Sequence, residues 1–454
     1  MIRALLLLML IPTSLIAQEN SGIEGEWNGF ININGQKLTI SLTFMNTYDE
    51  LDGSIDIPQQ NAFNLPVEVT LSQPDSLEFE FQTGTGSAVF NASLNNPSPD
   101  SINGMFTQSG MSLPFSLQRP NGNTASVDSR LNQQEITIEL EDQQIQGSLV
   151  TPPSPKSSSL IIMISGSGAS PRNSPVAGFE VFKELAVLLS DGGYHSFRFD
   201  DPAVGGSTGN ADATLQDLAA DVEEIITYFR ENEEHLFDEI ILLGHSQGGI
   251  IASLAAQNND LSGLILMASP SFTGEQIINQ QIRKISDVEG IPEEIVEENL
   301  EFQEKIYEVV KTNGDWEEIE ADLENRLREQ INQLPERQQE ALGDMNEFID
   351  SQIDRQLGSA KSRWFKSFIE TDPLATLEQT DEPILAIFGG KDSQVLAEPN
   401  EAAFPDDSRI TTVILPDANH LFQKAETGMT GEYPMLEKQF IDGFGEELLR
   451  FLNQ

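Results

Sequence analysis

Apolar and polar residues alternate with period two through the first quarter of the chain. Leu38, Ile40, Leu42 and Phe44 take every second place, as do Val67, Val69 and Leu71, and then Leu77, Phe79 and Phe81. Clusters of Gly, Asn, Pro and Asp separate these runs, so the stretch from Gly25 to Arg119 reads as short strands joined by turns. Strands at this spacing predict a small antiparallel barrel or curled sheet over residues 18–122, and polar, turn-rich text over 123–134 predicts a linker.

The period changes after residue 135. Glu135–Leu140 and Ile145–Val150 predict a hairpin. Leu160–Ser165 is a continuous apolar run of the kind a strand buried on both faces needs. Helix Phe179–Leu189, strand Tyr194–Phe199, helix Ala213–Glu231, strand Glu239–Gly244 and strand Leu261–Met267 follow. This alternation predicts an α/β fold with a doubly wound, mostly parallel sheet over 135–270 and 372–454. Residues 271–371 break it. They carry no strand pattern, and Ile295, Leu300, Phe302, Ile306 and Val310 recur at helical spacing. A helical insertion between two core strands is expected to cap the strands' C-terminal ends; the alternative is an appendage away from them. Strands Pro383–Phe388 and Arg409–Leu415 resume the sheet, and Leu436–Leu452 predicts a terminal helix.

One stretch carries chemistry. Ile240–Leu243 runs into Gly244-His245-Ser246-Gln247-Gly248, and the small-residue segment Ile250–Gln257 follows. Gly-x-Ser-x-Gly is common in a chain rich in Gly and Ser. Between an aliphatic strand and an Ala-containing helix it predicts a strained turn with Ser246 at its apex, held clear of the sheet. A serine hydroxyl needs a base. The chain has four histidines. His195 sits at a strand entry, His235 in an acidic loop, and His245 beside the serine, where successive side chains diverge. His420 alone follows a strand end, in Pro416-Asp417-Ala418-Asn419-His420. The base needs a carboxylate to orient it. Among 73 acids, sequence proximity decides little. Asp392 follows the strand to Phe388 through Gly389 and Gly390, whereas Asp417 lies too near His420 along the chain. Ser246, Asp392 and His420 are the candidate catalytic set.

The order Ser246, Asp392, His420 resembles that of the α/β-hydrolase superfamily. The closer likeness is to its bacterial esterase and serine aminopeptidase-like branch. It is carried by Ser165-Gly166-Ser167-Gly168-Ala169-Ser170-Pro171-Arg172, Arg198-Phe199-Asp200, Gly205-Gly206-Ser207-Thr208-Gly209, the turn at Ser246 and the loops of Asp392 and His420. The resemblance implies an oxyanion hole built from the N–H groups of Ser167, or its neighbour Gly168, and Gln247. It also implies acyl transfer to Ser246 followed by hydrolysis. Two departures stand out. Ser165 replaces the histidine that many members carry before the oxyanion glycine. Asp200-Asp201-Pro202-Ala203 lacks the arginine usual after the fourth strand, so loop rigidity must come from elsewhere. Trp27, Gly29 and Ile102–Phe106 resemble the calycin-like barrels that precede some secreted hydrolases; such a barrel holds an apolar ligand or glycan, or is simply packed.

The expected substrate is a small-molecule acyl ester. The same site would serve an aminopeptidase or amidase, and a hydrolase fold without activity would leave a binding protein. No metal or cofactor motif is present; Gly166-x-Gly168 lacks the spacing of a dinucleotide loop. Oligomeric state is not legible.

Composition adds compartment and solvent. Arg3, the apolar run Ala4–Ile16 and the small residue Ala17 match a secretory signal peptide over residues 1–17, shorter than a membrane span, so no stable membrane anchor is expected. The absence of cysteine excludes disulfides, a thiol nucleophile and a lipid-bearing N-terminal cysteine. A periplasmic or secreted protein is expected. The net charge of -48 argues against a nucleic-acid partner, which needs a basic surface. The 38% hydrophobic content argues against disorder, leaving an acidic surface suited to high salt, where screening weakens self-repulsion. The melting temperature is therefore expected to rise with NaCl up to molar concentration; a flat profile would exclude a halophilic surface.

Overall fold

The computed structural model describes residues 23, 25–33, 36–47, 50–57, 62–73, 76–83, 86–94, 101–108, 111–119, 130–235, 237, 239–333, 339 and 345–454. The expected signal segment 1–17 and most of the expected linker 123–134 lie outside them. The described residues form two compact units, 23–119 and 130–454.

The first unit is a closed antiparallel barrel of eight strands: β1 (Gly25–Ile33), β2 (Gln36–Thr47), β3 (Glu50–Ile57), β4 (Ala62–Gln73), β5 (Ser76–Thr83), β6 (Gly86–Ser93), β7 (Ser101–Gln108) and β8 (Met111–Gln118). Pairing of Asn28–Ile31 with Phe115–Gln118 closes it and leaves no free edge. The period-two residues point inward. Trp27, Ile40, Leu42, Phe44, Phe79, Phe90 and Leu117 are buried, and the Trp27 indole N–H donates to the Ile23 carbonyl at 2.7 Å. Phe90 sits at the centre of the aromatic packing. Its ring centroid lies 4.6 Å from Phe79, 4.9 Å from Phe106 and 5.0 Å from Phe115. An eight-stranded barrel is just wide enough for side chains to fill, and here aromatic rings occupy the interior.

The second unit is built on an eight-stranded sheet. Its strands are β9 (Gln133–Glu139), β10 (Gln144–Val150), β11 (Leu160–Ile164), β14 (His195–Phe199), β15 (Ile240–His245), β16 (Gly263–Met267), β17 (Ile384–Gly389) and β18 (Ile410–Leu415); a short hairpin, β12 (Pro175–Val176) and β13 (Phe179–Glu180), stands apart. The spatial order is β18-β17-β16-β15-β11-β14-β10-β9. All neighbours from β18 to β14 run parallel, and β10 and β9 extend the edge antiparallel. β11, β15, β16 and β17 are buried at every residue, as continuous apolar runs between two helical layers must be. Alternate residues serve opposite layers. Ile162 and Leu242 pack with α2 (Leu215–Glu231) and α3 (Gln247–Ala256). Ile161 and Leu243 pack with α1 (Val181–Gly192) and the C-terminal helix Phe444–Leu452. The chain order reverses between β11 and β15, which is where a crevice opens at the C-terminal ends of parallel strands.

Between β16 and β17 the described residues contain helices only. They include Gly274–Glu289, Glu293–Thr312, Glu317–Asn332, Met345–Gly358 and Arg363–Glu370. Ile278, Phe302 and Phe365 of this insertion share one apolar cluster with Leu215 and Ile250 of the core. The Leu215 N–H donates to Ser367 Oγ at 3.0 Å in a buried contact. The insertion is therefore packed into the core layer.

Two expectations shift. The helix expected from Phe179 begins at Val181, because Phe179 and Glu180 pair with Pro175 and Val176. The helix expected from Leu436 begins only at Phe444. Gly443 adopts φ 91°, the Ile441 N–H donates to the Phe422 carbonyl at 2.7 Å, and Phe440 stacks on Phe444 at 4.6 Å. Helical spacing of Leu436, Phe440 and Phe444 here reflects docking onto the core.

Truncation of Phe90 removes the ring that four other phenylalanines pack against. Phe90→Ala is expected to cost about 3–5 kcal/mol, read as a lower urea midpoint of the barrel's unfolding transition.

Candidate active site

β15 delivers Ser246 to the crevice. The serine has φ 55° and ψ -125°, a backbone region costing roughly 1–3 kcal/mol, and it caps the start of α3. The strain is held from both sides. The Ser246 N–H donates to the Met267 carbonyl of β16 at 2.8 Å, and the Ser246 carbonyl accepts from Gly249 at 3.0 Å. The turn closes because two glycines leave room for backbone. A Cβ on Gly244 would collide with the Gly248 carbonyl, and one on Gly248 with the carbonyl oxygens of Ile164 and Ser165.

β17 delivers Asp392 and β18 leads to His420. The Asp392 N–H bonds the Gly389 carbonyl at 3.0 Å, which turns the loop back tightly. Asp392 Oδ1 accepts from the backbone N–H of Gln394 at 2.7 Å and of Val395 at 2.9 Å, and Oδ2 lies 2.6 Å from His420 Nδ1. Both side chains are buried, at 3% and 5% exposure. A carboxylate only accepts, so His420 Nδ1 carries the proton and Nε2 presents a lone pair. The His420 loop is pinned by Asn419, whose Oδ1 accepts from Leu421 and Gln423, and by the Lys391 N–H to the Ala418 carbonyl at 2.9 Å. Asp417 is turned to solvent and pairs with Lys391.

The remaining histidines separate cleanly. His195 is the first residue of β14, so it lies at the opposite end of the sheet from Ser246, and His235 bonds Gln134 before β15 begins. His245 is different. Its Nε2 lies 3.0 Å from the His420 carbonyl oxygen, to which it donates, and the two rings are 4.8 Å apart. Burial, with the neighbouring His420, pushes its pKa down to about 3. It is a neutral prop that ties the residue before Ser246 to the His420 main chain, a role that sequence position alone did not suggest.

Ser167 and Gln247 flank the elbow. β11 ends at Ile164, and a Cβ on Gly166 would sit 3.3 Å from Ser246 Cβ, so the 165–168 loop lies directly beside the serine. Gly168 has φ +99°. Gln247 opens α3; the N–H groups of a helix's first turn have no intrahelical acceptor and carry the positive end of the helix dipole. Its side-chain Oε1 accepts from Trp364 Nε1 of the inserted helix at 2.9 Å. Trp364, like His245, escaped the sequence reading because its contact spans more than a hundred residues.

The loop rigidity that Ser165 and the missing arginine left unexplained has two sources. Ser165 Oγ donates to both oxygens of Asp201 at 2.8 Å, and the Ser170 N–H donates to Asp201 Oδ2 at 2.8 Å. Arg172 grips Asp200 through its backbone N–H at 2.8 Å, Nε at 2.9 Å and Nη2 at 2.6 Å, and it also reaches Glu135. Burial pushes the Asp201 carboxyl up to about 7; the Ser165 and Ser170 hydrogen bonds oppose that rise and the charges of Asp200 and Asp221 add to it. The tandem acids at a strand end were the available signal.

A family model described as the alpha/beta hydrolase family matches residues 161–427, more than half of the chain. The chain is similar to Esterase EstD of Thermotoga maritima, with 22% identity over 286 residues, which span 62% of this chain and 58% of that protein. Solved structures with a similar fold include an esterase of Pyrococcus furiosus, at TM-score 0.43 and 14% identity over 73% of this chain and 94% of that one. A proline iminopeptidase of Mycobacterium smegmatis matches at TM-score 0.41 and 16% identity, over 71% and 98%.

The neutral His245 makes a pH prediction. Its folded pKa lies below the unfolded value near 6.5, so between those values the unfolded chain binds a proton that the folded chain refuses, and stability falls with pH. His245→Gln keeps a donor without that titration. Relative to wild type, the variant is expected to gain on the order of 2 kcal/mol between pH 7 and pH 4.5 in urea unfolding. A constant difference across the range would contradict a neutral, buried His245.

Proposed function

The chain belongs to the alpha/beta hydrolase family and is a hydrolase, and from that premise we propose that it cleaves small-molecule carboxylic esters through Ser246, His420 and Asp392. The observation that carries this reading is the buried Asp392–His420 pair at 2.6 Å. It leaves Nε2 as the available base on a loop tied to the elbow of Ser246.

His420 Nε2 takes the Ser246 proton as Oγ attacks the ester carbonyl. Asp392 stabilises the imidazolium and holds its tautomer. The tetrahedral oxyanion is met by the N–H groups of Ser167 and Gln247, reinforced by the positive end of α3. His420 then gives its proton to the leaving alkoxide, which departs as the alcohol. Water, deprotonated by His420, hydrolyses the acyl-Ser246 ester and regenerates the enzyme. The setting is outside the cytoplasm, a reading supported by the pattern of residues 1–17.

The test is incubation of the purified chain with a fluorophosphonate probe and with panels of p-nitrophenyl esters and aminoacyl anilides, beside Ser246→Ala. Ester turnover and labelling are expected in the wild type, with a loss of at least about 10³-fold in kcat in the variant. Turnover of anilides without esters would replace the esterase reading by an aminopeptidase one. Labelling and turnover that survive in Ser246→Ala would sink the mechanism.

A further inference from the structure

Asp201 is a carboxylic acid that the acyl-transfer steps do not use, and its contacts single it out. It follows Phe199 and Asp200 at the C-terminal end of β14, and β14 pairs in parallel with β11. The residue is partly exposed, yet its carboxyl is turned inward onto the loop that leaves β11. Both its oxygens lie 2.8 Å from Ser165 Oγ, and Oδ2 also accepts the Ser170 N–H. The Asp201 N–H returns a bond to the Ser170 carbonyl at 3.1 Å. One residue thus holds both ends of the six-residue segment that includes Gly166, against Ser246, and Ser167, the candidate oxyanion donor.

The charges around it divide the labour between the two adjacent acids. Asp200 takes Arg172 and the Gly206 N–H. Asp201 faces hydroxyl and amide donors, with the carboxylates of Asp200 and Asp221 as its charged neighbours. Asp221 is itself engaged by Gln143. Such an environment suits a group acting through hydrogen-bond geometry.

We propose that Asp201 is a positioning residue for ester hydrolysis, clamping the 165–170 loop through Ser165 and Ser170 so that the Ser167 N–H points at the oxyanion on Ser246. The inference rests on the serine-hydrolase reading. Because the clamp acts on a transition-state donor, its loss lowers kcat and leaves substrate affinity largely intact. Acceptor and donor geometry, not charge, is what the clamp needs. With a pKa about 7, the carboxyl is present in neutral and ionised forms near neutrality. An asparagine can reproduce the neutral form, its carbonyl accepting from Ser170 and its amide donating to Ser165 Oγ.

The test compares Asp201→Ala, Asp201→Asn and Ser165→Ala with wild type, in steady-state ester kinetics and in the rate of fluorophosphonate labelling of Ser246, with circular dichroism to verify the fold. Asp201→Ala is expected to lose about 100-fold in kcat with KM changed by less than about threefold. Asp201→Asn is expected to restore most of that loss, and Ser165→Ala, which removes one arm of the clamp, to fall between. If Asp201→Ala does not fold, the decision passes to Ser165→Ala and Asp201→Asn. The proposal is overturned if Asp201→Ala keeps wild-type kcat, if Asn is as poor as Ala, or if Ser165→Ala is indistinguishable from wild type. A wild type inert to esters and probe would refute the underlying mechanism and the clamp with it. An active wild type beside an active Asp201→Ala would refute the clamp alone.

Discussion

Backbone meets backbone where α3 starts, and the rest of the second unit is arranged around that approach. Gly248 lies against the carbonyl oxygens of Ile164 and Ser165, and Gly244 against the carbonyl of Gly248. No side chain fits between them. The approach brings the end of β11 and the end of β15 together at the point where strand order reverses. It also imposes the left-handed backbone at Ser246. That conformation costs roughly 1–3 kcal/mol, offset by the buried parallel strands on either side and by the hydrogen bond from Ser246 to Met267.

Each element of the candidate site hangs on this contact at one remove. The 165–168 loop follows the strand that Gly248 touches, so it lies beside Ser246 by construction. The positive end of α3 lies at the same place because the helix begins one residue after the serine. The Asp392 and His420 loops leave neighbouring parallel strands at the same edge of the sheet, and His245 ties the His420 main chain back to the elbow. The inserted helices add Trp364, whose indole holds the side chain of Gln247. The insertion is thus part of the site's framework.

Asp200 and Asp201 show how the fold compensates for departures in its loops. Where the chain lacks the usual arginine after the strand, Arg172 comes from the opposite loop and satisfies Asp200 with three donors. Where it lacks the usual histidine before Gly166, Ser165 reaches a carboxyl instead. The cost is a carboxyl turned inward without a paired cation among the described residues, tolerable because hydroxyl and amide donors share it.

Local chemistry determined much of this before any tertiary contact was known. Period-two alternation marked the barrel strands and continuous apolar runs marked β11, β15 and β17, because burial on one face or two writes itself into the side chains. Ser246, Asp392 and His420 were legible because each follows the end of a strand read from the sequence, where a parallel sheet must present its loops. What depends on distant partners was not legible. Leu436–Gly443 has helical spacing but docks as an irregular segment, since Phe440 and Ile441 answer to Phe179, Phe422 and Phe444. His245 looked idle beside the serine until the carbonyl oxygen of a residue 175 positions away accepted a hydrogen bond from its ring N–H. The pairings of Asp201 with Ser165 and of Trp364 with Gln247 span separate elements in the same way. Strand and turn identity follow from neighbours along the chain; which polar groups meet across the crevice was decided only by packing, where a buried donor or acceptor takes whichever partner the fold brings within reach.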